Sequence, residues 1–457
     1  MKAMNKPLFV ILFAGALVRL VLWFEFQGLN TLHDDEREYN AIAKNLVEHG
    51  EFAVSPGSLT SIRPPLYPAF LAGVYSLAGV ENYQAVRFLQ AVISLLTVAL
   101  LYRLGREVYS QRVGTWLGGL FVFYPSLLGY NNLILTEILF TFLLCLTCFC
   151  IIRSLQLDSI PWLAAGGAAM ALTALTRSVL WLFPPVLSLF LLFAWKGPLS
   201  RRLLAVTCLV AAFAIPLAPW AVRNTTLQKT LVVVDVMGGR NFMMGNYQYT
   251  PLYRSWDAVS VQGDQFWRIE VIRAYSNEEM ETEGKVDKLA LRQGLKFVMA
   301  NPGLTVQRDV VKFFDFWGLE RELIAGTKQG YFGSVPRPML IALGVLILGA
   351  FVFALFSGIV GMCVVPPADW RVHAFVLLLI AFVTGMHTLV FGHPRYHLPL
   401  IPLVLLYSAS ACAQASLVWE QRFHWPFRLA CGIGLFFVAG WIGRTLLSGD
   451  IRFLSGI

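Results

Sequence analysis

Charged side chains are scarce in this sequence. Lysine, arginine, aspartate and glutamate together make up 14% of its 457 residues, whereas hydrophobic residues make up 57%. Soluble domains carry about a quarter charged residues. The composition therefore excludes a water-soluble globular protein.

Motifs for metals and nucleotides are also missing. All seven cysteines lie in or beside apolar runs, and the single C-x-x-C, Cys145 to Cys148, has no second pair, so we interpret them as core residues. No glycine-rich loop of the kind that cradles nucleotide phosphates occurs. The net charge of +9 would suggest nucleic acid in a soluble protein. Here the basic residues lie in short loops, as in membrane proteins, and no nucleic-acid partner is expected.

Apolar runs of roughly 20 residues recur along most of the chain, and each can cross a hydrocarbon core of about 30 Å. They predict an all-α polytopic membrane protein with about 11 transmembrane helices. The runs lie near 7–27, 84–104, 113–131, 133–152, 161–176, 178–195, 203–222, 338–363, 371–391, 397–416 and 427–447. Arg19, inside the first run, is expected to face either another helix or a polar cavity.

The runs divide the chain into three predicted units. Residues 1–222 form an N-terminal transmembrane module with a first outer loop at 28–83, and residues 338–457 form C-terminal transmembrane helices. Between them, 223–337 is expected to be a small extracytoplasmic α/β cap, because it begins with a β-like run at 231–234 and becomes helical around 264–300. In the first outer loop we predict juxtamembrane helices: an amphipathic one that ends at His49-Gly50, and an interfacial one over 66–80.

Two adjacent carboxylates, Asp34 and Asp35, open the first of these helices. Asp35 with Glu38 matches a capping box, which is a structural interpretation. The functional interpretation is a carboxylate that accepts a proton from a hydroxyl group. The two are compatible, since capping uses only one carboxylate oxygen.

Arg63 precedes two prolines. It is interpreted either as an interfacial arginine that snorkels or as a rigid guanidinium that grips a phosphate with two parallel hydrogen bonds.

Glu137 begins a later run, where an acidic side chain is costly and therefore a functional candidate. Its structural alternative is an ion pair with Arg87 or Arg177 that holds helices together. Arg177 by itself is ordinary helix-end anchoring.

The turn at 392–399 contains His393, Arg395 and His397. The spacing of the two histidines could suggest a metal site, but Pro394 breaks the helix that would align them. A second phosphate contact through Arg395 is favoured instead.

The order of these motifs resembles the C-type (GT-C) glycosyltransferase superfamily, and within it the branch of protein O-mannosyltransferases and lipid A aminoarabinose transferases. The segments that carry the resemblance are 34–39, 63–68, 136–137, 176–177, 219–224 and 395–399. The chain differs from the aminoarabinose branch in having arginine rather than lysine at position 63.

The resemblance implies an enzyme that transfers a sugar from a polyprenyl-phosphate-linked donor to a hydroxyl of a lipid, glycan or protein acceptor, with inversion. It also implies a multi-pass protein of the cell inner (plasma) membrane whose active site faces the periplasm. Asp35, or Asp34 with one residue of slippage, would be the base, and Arg63 and Arg395 would bind the donor phosphate. Further possible substrate contacts are Glu137, Tyr39, Tyr67, Arg177, His393 and His397. No cofactor is expected with certainty, although a divalent metal is possible.

Two alternatives stay open. A transporter or flippase of lipid-linked sugars would place polar residues and broken helices near mid-membrane. A polymerase or ligase of surface polysaccharide would share the polytopic plan without requiring the early acidic segment.

Overall fold

The computed structural model describes residues 6–448, so the ends of the first and last predicted units, 1–5 and 449–457, lie outside the described residues. Helices make up most of this part of the chain. The α-helices are α1 (Lys6–Glu25), α2 (Asp35–His49), α3 (Leu66–Ala78), α4 (Tyr83–Val108), α5 (Gln111–Val122), α6 (Pro125–Tyr130), α7 (Glu137–Leu157), α8 (Ile160–Thr176), α9 (Phe183–Ala194), α10 (Leu199–Gln228), α11 (Gly238–Gly245), α12 (Trp267–Ala274), α13 (Glu283–Ala300), α14 (Pro302–Phe316), α15 (Glu322–Lys328), α16 (Arg337–Val364), α17 (Trp370–Leu389), α18 (Ile401–Ala413), α19 (Ala415–Glu420) and α20 (Trp425–Ser448). The 3-10 turns are Ser178–Leu180, Ser255–Ser260, Gly263–Gln265 and Pro394–Leu400.

Eight helices between residues 6 and 448 are long and apolar enough to cross a membrane, which confirms an all-α, multi-pass membrane protein. The other three predicted runs form shorter helices. Run 113–131 is divided between α5 and α6, run 161–176 is the 17-residue α8, and run 178–195 is divided between a 3-10 turn and α9. Proline at the start of α6 and of α9 explains both divisions, since proline cannot donate the backbone hydrogen bond that a continuous helix needs.

Arg19 of α1 faces other helices, which decides between the two alternatives for this residue. Its side chain is only 2% exposed, and its Nη2 donates to Oγ of Ser94 in α4 at 2.8 Å. Nη1 donates to the carbonyl oxygens of Gly15 and Val122, each at 3.2 Å. A buried guanidinium needs such partners, and here they hold α1 against α4 and the end of α5.

The predicted amphipathic helix in the first outer loop is α2, and it ends at His49 as expected. Gly50 follows with φ 70°, a left-handed conformation that glycine adopts without strain. The predicted capping box is wrong, because the side chains around the start of α2 bind elsewhere. Glu36 accepts the His33 backbone NH at 2.9 Å, and Glu38 binds Arg63. Asp34 occupies the cap position without a side-chain cap bond.

A two-stranded antiparallel hairpin, β1 (Ala53–Ser55) with β2 (Ser58–Leu59), leads to the segment that carries Arg63. This segment is attached to α10, which continues past the predicted end of its run at 222. Arg223 donates to the Thr60 carbonyl at 2.7 Å, and Ser61 Oγ donates to Asn224 at 2.9 Å. The last turns of α10 thus hold Thr60 and Ser61 in position, and Ser61 lies two residues before Arg63.

The region 223–337 is helical, so the predicted α/β cap is wrong in its β part. The β-like run at 231–234 forms no strand, because side chains of α10 take its backbone hydrogen bonds. Trp220 and Asn224 both donate to the Val234 carbonyl at 2.8 Å. Helices α11, α12 and α13 pack instead around a small core, which includes Met243, Tyr247, Trp267 and Leu289. Helices α14 and α15 add Phe314, Phe316 and Leu323 to the main core.

Candidate active site

Asp35, in the first turn of α2, is held between two arginines that are far apart in sequence. Its Oδ1 lies 2.6 Å from Nη2 of Arg63, and its Oδ2 lies 3.4 Å from Nη1 of Arg395. Burial by itself raises the pKa of Asp35, but the two guanidinium charges outweigh it and lower the pKa to about 2. Asp35 is therefore ionised at neutral pH.

Arg63 contacts two further side chains of α2, those of Glu38 and Tyr39. Its Nε donates to Glu38 at 2.5 Å, and its guanidinium lies 5.1 Å from the centre of the Tyr39 ring, a cation–π distance. Burial lowers the pKa of Arg63, but Tyr39, Asp35 and Glu38 together raise it above its ordinary value. This arginine keeps its charge and is rigidly oriented.

Glu137, at the start of α7, is fully buried and pairs with two arginines. Nε of Arg395 lies 2.5 Å and Nη1 of Arg177 lies 3.3 Å from its Oε1. The predicted pairing with Arg177 occurs; the alternative with Arg87 does not, because Arg87 donates to backbone carbonyls, including that of Asn132 at 2.9 Å. Together these residues form an alternating ion-pair chain in the order Arg63, Asp35, Arg395, Glu137 and Arg177.

A cavity of about 1210 Å³, including its open mouth, lies along this chain; we call it the Asp35 cavity. One part of its wall is polar, and the side chains that matter here are Asp35, Arg63, Arg177, Ser178, Asp235 and Asn241. The other part is apolar and comes mainly from α7 and α17, with Phe140, Leu144, Val383, Met386, Val390 and Leu400. This division suits a molecule that has one polar and one hydrocarbon part.

Tyr39, Arg177 and Tyr396 also line the Asp35 cavity, but several predicted contacts do not. Tyr67 is fully buried and donates to Gln90 at 2.9 Å. Asp34 accepts a hydrogen bond from Tyr331 at 2.7 Å. Arg395 lies behind Asp35, on the wall of a smaller cavity of about 360 Å³ that Asp35 shares.

The two histidines of the 392–399 turn face different carboxylates. Nε2 of His393 lies 3.4 Å from Glu322, whereas His397 is fully buried with Nε2 3.1 Å from Glu320. His397 also stacks on the Phe351 ring at 4.6 Å, so its contacts are those of a core residue.

No group of three or more histidine, cysteine, aspartate or glutamate side chains in the part of the chain that the structure describes could hold a metal ion. Asp35 and the neighbouring Glu137 are already bound by guanidinium groups, and Asp235, which also lines the Asp35 cavity, accepts hydrogen bonds from the Met237 NH and the Ser178 hydroxyl. These donors do not fit a divalent cation, and no step below depends on one.

Asp235 is a cavity residue that the sequence did not reveal. It lies between α10 and α11, and its Oδ1 accepts the Met237 backbone NH at 3.2 Å. Burial raises the pKa of Asp235 to about 6, although the Ser178 hydroxyl and the Met237 NH oppose this. A single aspartate within a β-like run carries no signal, and only the fold places it opposite Arg63.

The chain was compared with protein-family models and with solved structures. Residues 62–221 match the family model described as dolichyl-phosphate-mannose-protein mannosyltransferase. The fold matches that of the oligosaccharyltransferase from Archaeoglobus fulgidus in the apo form, with a TM-score of 0.51 and 13% identity over 96% of this chain and 55% of that one. These matches confirm the resemblance to the C-type glycosyltransferase superfamily.

Two other solved structures are similar. The archaeal oligosaccharyltransferase AglB from Archaeoglobus fulgidus, in complex with an inhibitory peptide and a dolichol-phosphate, matches with a TM-score of 0.50 and 15% identity over 97% of this chain and 55% of that one. ArnT from Cupriavidus metallidurans bound to undecaprenyl phosphate has a TM-score of 0.40 and 16% identity over 90% of this chain and 79% of that one. The chain spans about half the length of the oligosaccharyltransferases it matches. No curated protein is significantly similar to it in sequence.

Proposed function

We propose that this protein is a membrane glycosyltransferase that moves a sugar from a polyprenyl-phosphate-linked donor to an acceptor hydroxyl. The observation that carries the proposal is the ionised Asp35, held by Arg63 at the polar end of a cavity whose other wall is apolar. The family model that matches 62–221 and the dolichol-phosphate bound by the archaeal neighbour support a donor of this class.

The two parts of the cavity would receive the two parts of the donor. The polyprenyl chain would lie along the apolar wall from α7 and α17. The phosphate would lie against Arg63 and Arg177, whose guanidinium groups form charge-assisted hydrogen bonds with phosphate oxygens. The phosphate contact predicted for Arg395 stays a prediction; in its present position this residue orients Asp35 and Glu137.

The reaction would be one displacement at the anomeric carbon. The acceptor oxygen bonds to that carbon while its proton passes to Asp35, and the bond from the anomeric carbon to the phosphate oxygen breaks. The electron pair stays on the phosphate, where Arg63 and Arg177 stabilise the developing charge. A single displacement inverts the configuration at that carbon.

Donor binding would also prepare Asp35 for its role. In the structure two arginines hold the pKa of Asp35 at about 2, too low for an effective base. A phosphate that engages Arg63 would draw this guanidinium away from Asp35. The pKa of Asp35 would then rise toward its ordinary range, so that the base becomes effective once the donor is in place.

We further propose that the protein lies in the cell inner (plasma) membrane with the Asp35 cavity on the extracytoplasmic side. The distribution of arginine and lysine among the short loops supports this orientation. The acceptor, a lipid, glycan or protein hydroxyl, would reach Asp35 beneath the helices of 223–337. The clustering of ionisable residues at one end of the spans favours surface chemistry over passage through the membrane.

The test is transfer of radiolabelled sugar from polyprenyl-phosphate donors in membranes that contain equal amounts of each variant. We expect Asp35→Asn to lose at least about 100-fold in rate, because general base catalysis contributes about that much or more. Asp34→Asn should keep most of the activity, since Asp34 binds Tyr331 outside the Asp35 cavity. Glu48→Gln, an exposed change on the same helix, is the matched control.

The other outcomes separate the alternatives. Full activity in Asp35→Asn with loss in Asp34→Asn would make Asp34 the base. Movement of labelled lipid across the bilayer without transfer would establish a transporter. A product that carries many added sugars would establish a polymerase.

A further inference from the structure

Three polar side chains of the Asp35 cavity are not used by the phosphate or by the proton transfer. Ser178 begins the 3-10 turn after Arg177, Asp235 lies between α10 and α11, and Asn241 lies in the first turn of α11. Trp181, 38% exposed, lines the same wall. A carboxylate, an amide and a hydroxyl beside an open aromatic face are groups that bind the hydroxyls and the apolar face of a sugar ring.

The loop that carries Asp235 is fixed on both sides of this residue. The preceding carbonyl, of Val234, accepts hydrogen bonds from the side chains of Trp220 and Asn224, each at 2.8 Å. The following backbone NH, of Val236, donates to the Ser61 carbonyl at 3.1 Å. Asp235 is therefore presented by rigid backbone, as a binding residue requires.

The same contacts tie Asp235 to the proposed phosphate site. Ser61, which accepts from Val236, lies two residues before Arg63 in one fixed segment. Ser178, whose hydroxyl binds Asp235, directly follows Arg177. The segment that carries Arg63 is thus bonded to the loop that carries Asp235, and Arg177 is the sequence neighbour of Ser178. In a glycosyl phosphate the sugar is likewise bonded directly to the phosphate, and one cavity that both sets of groups line could receive such a molecule.

We propose that Asp235, with Ser178 and Asn241, forms the subsite for the transferred glycosyl group, and that it binds a neutral sugar through hydroxyl groups. This inference rests on the proposed function. Asp235 would accept hydrogen bonds from two sugar hydroxyls, Asn241 would donate one and accept one, and Trp181 would cover the apolar face of the ring. Burial is the main cause of the raised pKa of Asp235, and it outweighs the opposing influences of the Ser178 hydroxyl and of Arg63.

The test compares two ligands of the purified full-length protein: a polyprenyl phosphate with no sugar, and the same lipid phosphate carrying a neutral hexose. We expect Asp235→Ala to weaken binding of the hexose-bearing lipid by about tenfold or more, because hydrogen bonds to a charged group are lost. Asn241→Ala should weaken it by roughly two- to tenfold, because the lost hydrogen bonds join neutral groups. Binding of the bare lipid phosphate should change less than about twofold in these variants. Arg63→Ala should weaken both ligands. Asp264→Ala removes an exposed carboxylate of the same region and is the matched control.

The comparison separates a sugar contact from a structural role, which would weaken both ligands equally. Equal weakening in Asp235→Ala, or none, would overturn the inference while leaving the proposed function intact. Asp235→Ala could be poorly folded and lose both ligands for that reason, so the conservative variant Asp235→Asn is measured as well. If Asp235→Asn binds the bare lipid phosphate as wild type does but binds the hexose-bearing lipid more weakly than wild type, the inference is upheld. A wild-type protein that binds neither lipid would overturn both the inference and the function on which it rests.

Discussion

Nη2 of Arg63 lies 2.6 Å from Oδ1 of Asp35. These residues are separated by 28 positions and lie on different elements, α2 and the segment after the β-hairpin. Their contact joins the proposed base to the proposed phosphate ligand, so the protonation of one depends on the occupancy of the other. The pH dependence of the reaction therefore reports whether Arg63 controls the pKa of Asp35.

Replacing Arg63 by alanine should move the acidic limb of the pH–rate profile to higher pH. Arg63 is the stronger of the two guanidinium influences that lower the pKa of Asp35, so its loss raises that pKa. A base works only when ionised, and activity falls as pH decreases through its pKa. The pH dependence of kcat/KM for the donor between pH 4 and 8 reports the enzyme before the donor binds, when Arg63 still contacts Asp35, and will show the change. An unshifted limb, with only a lower plateau, would show that Arg63 does not control Asp35.

Replacing Glu137 by glutamine should destabilise the protein by about 3–5 kcal/mol, because Arg177 and Arg395 would be left buried without their shared counter-charge. Thermal unfolding in one detergent is the measurement. The double variant Glu137→Gln with Arg177→Gln should recover part of the loss, since it removes one of the unpaired charges. Equal stability of Glu137→Gln and wild type would contradict a structural role for this pair.

Replacing Gly239 by alanine should destabilise the cap by about 1–3 kcal/mol, the usual cost of inserting an atom into a packed contact. A Cβ on Gly239 would lie 1.9 Å from the Asp287 carbonyl oxygen, so α11 would have to move away from α13. Gly238→Ala is the matched control, because a Cβ there meets no atom within 4 Å. Limited proteolysis at 223–337 will compare them. Similar cleavage of both variants would argue against a tight α11–α13 contact.

Asp235 should make stability pH-dependent in the opposite sense to most carboxylates. Burial raises its folded-state pKa from 3.8 to about 6, so the folded protein binds the proton more tightly than the unfolded chain. This contribution is complete below pH 3.8 and is lost as pH rises through about 6, by at most about 3 kcal/mol.

Asp235→Asn lacks this titration. Its melting temperature, measured against wild type from pH 4 to 8, should therefore show a growing advantage up to about pH 6 and a constant one above. Asp264→Asn serves as the exposed control. A difference between Asp235→Asn and wild type that does not vary with pH would exclude an Asp235 carboxyl with a raised pKa.

Local patterns in the sequence were sufficient for much of this description. Apolar runs predicted about 11 transmembrane helices, because the cost of unpaired backbone groups in lipid leaves few other structures. Eight of these runs form helices of spanning length within residues 6–448, and the other three form shorter ones. The helix from Asp35 to His49 followed from its apolar spacing and from Gly50. Arg63 was identified as a candidate because arginine before two prolines is restricted in position, whereas Arg177 became a candidate only through the resemblance to the glycosyltransferases.

Interpretations that depended on distant partners were less successful. The run at 231–234 has a β-like composition, but Trp220 and Asn224 bind its backbone, so no strand forms. His397 and Tyr67 resembled substrate contacts, but each packs in the core with its polar atoms satisfied. Such outcomes depend on tertiary partners and have no local signature.

The sequence by itself determined that this is a multi-pass helical membrane protein, because hydrophobic length is a local property, and the order of its acidic and basic motifs carried the resemblance to the glycosyltransferases. Tertiary structure alone decided which carboxylate lines the Asp35 cavity, since Asp34 and Asp35 are neighbours in sequence and differ in their partners, Tyr331 for Asp34 and Arg63 and Arg395 for Asp35. It also decided that Asp235 joins the site, by hydrogen bonds that connect the chain after α10 to the segment before Arg63. The physical reason is that ion pairs and buried carboxyl groups gain their properties from charges and burial that the folded chain supplies from distant positions.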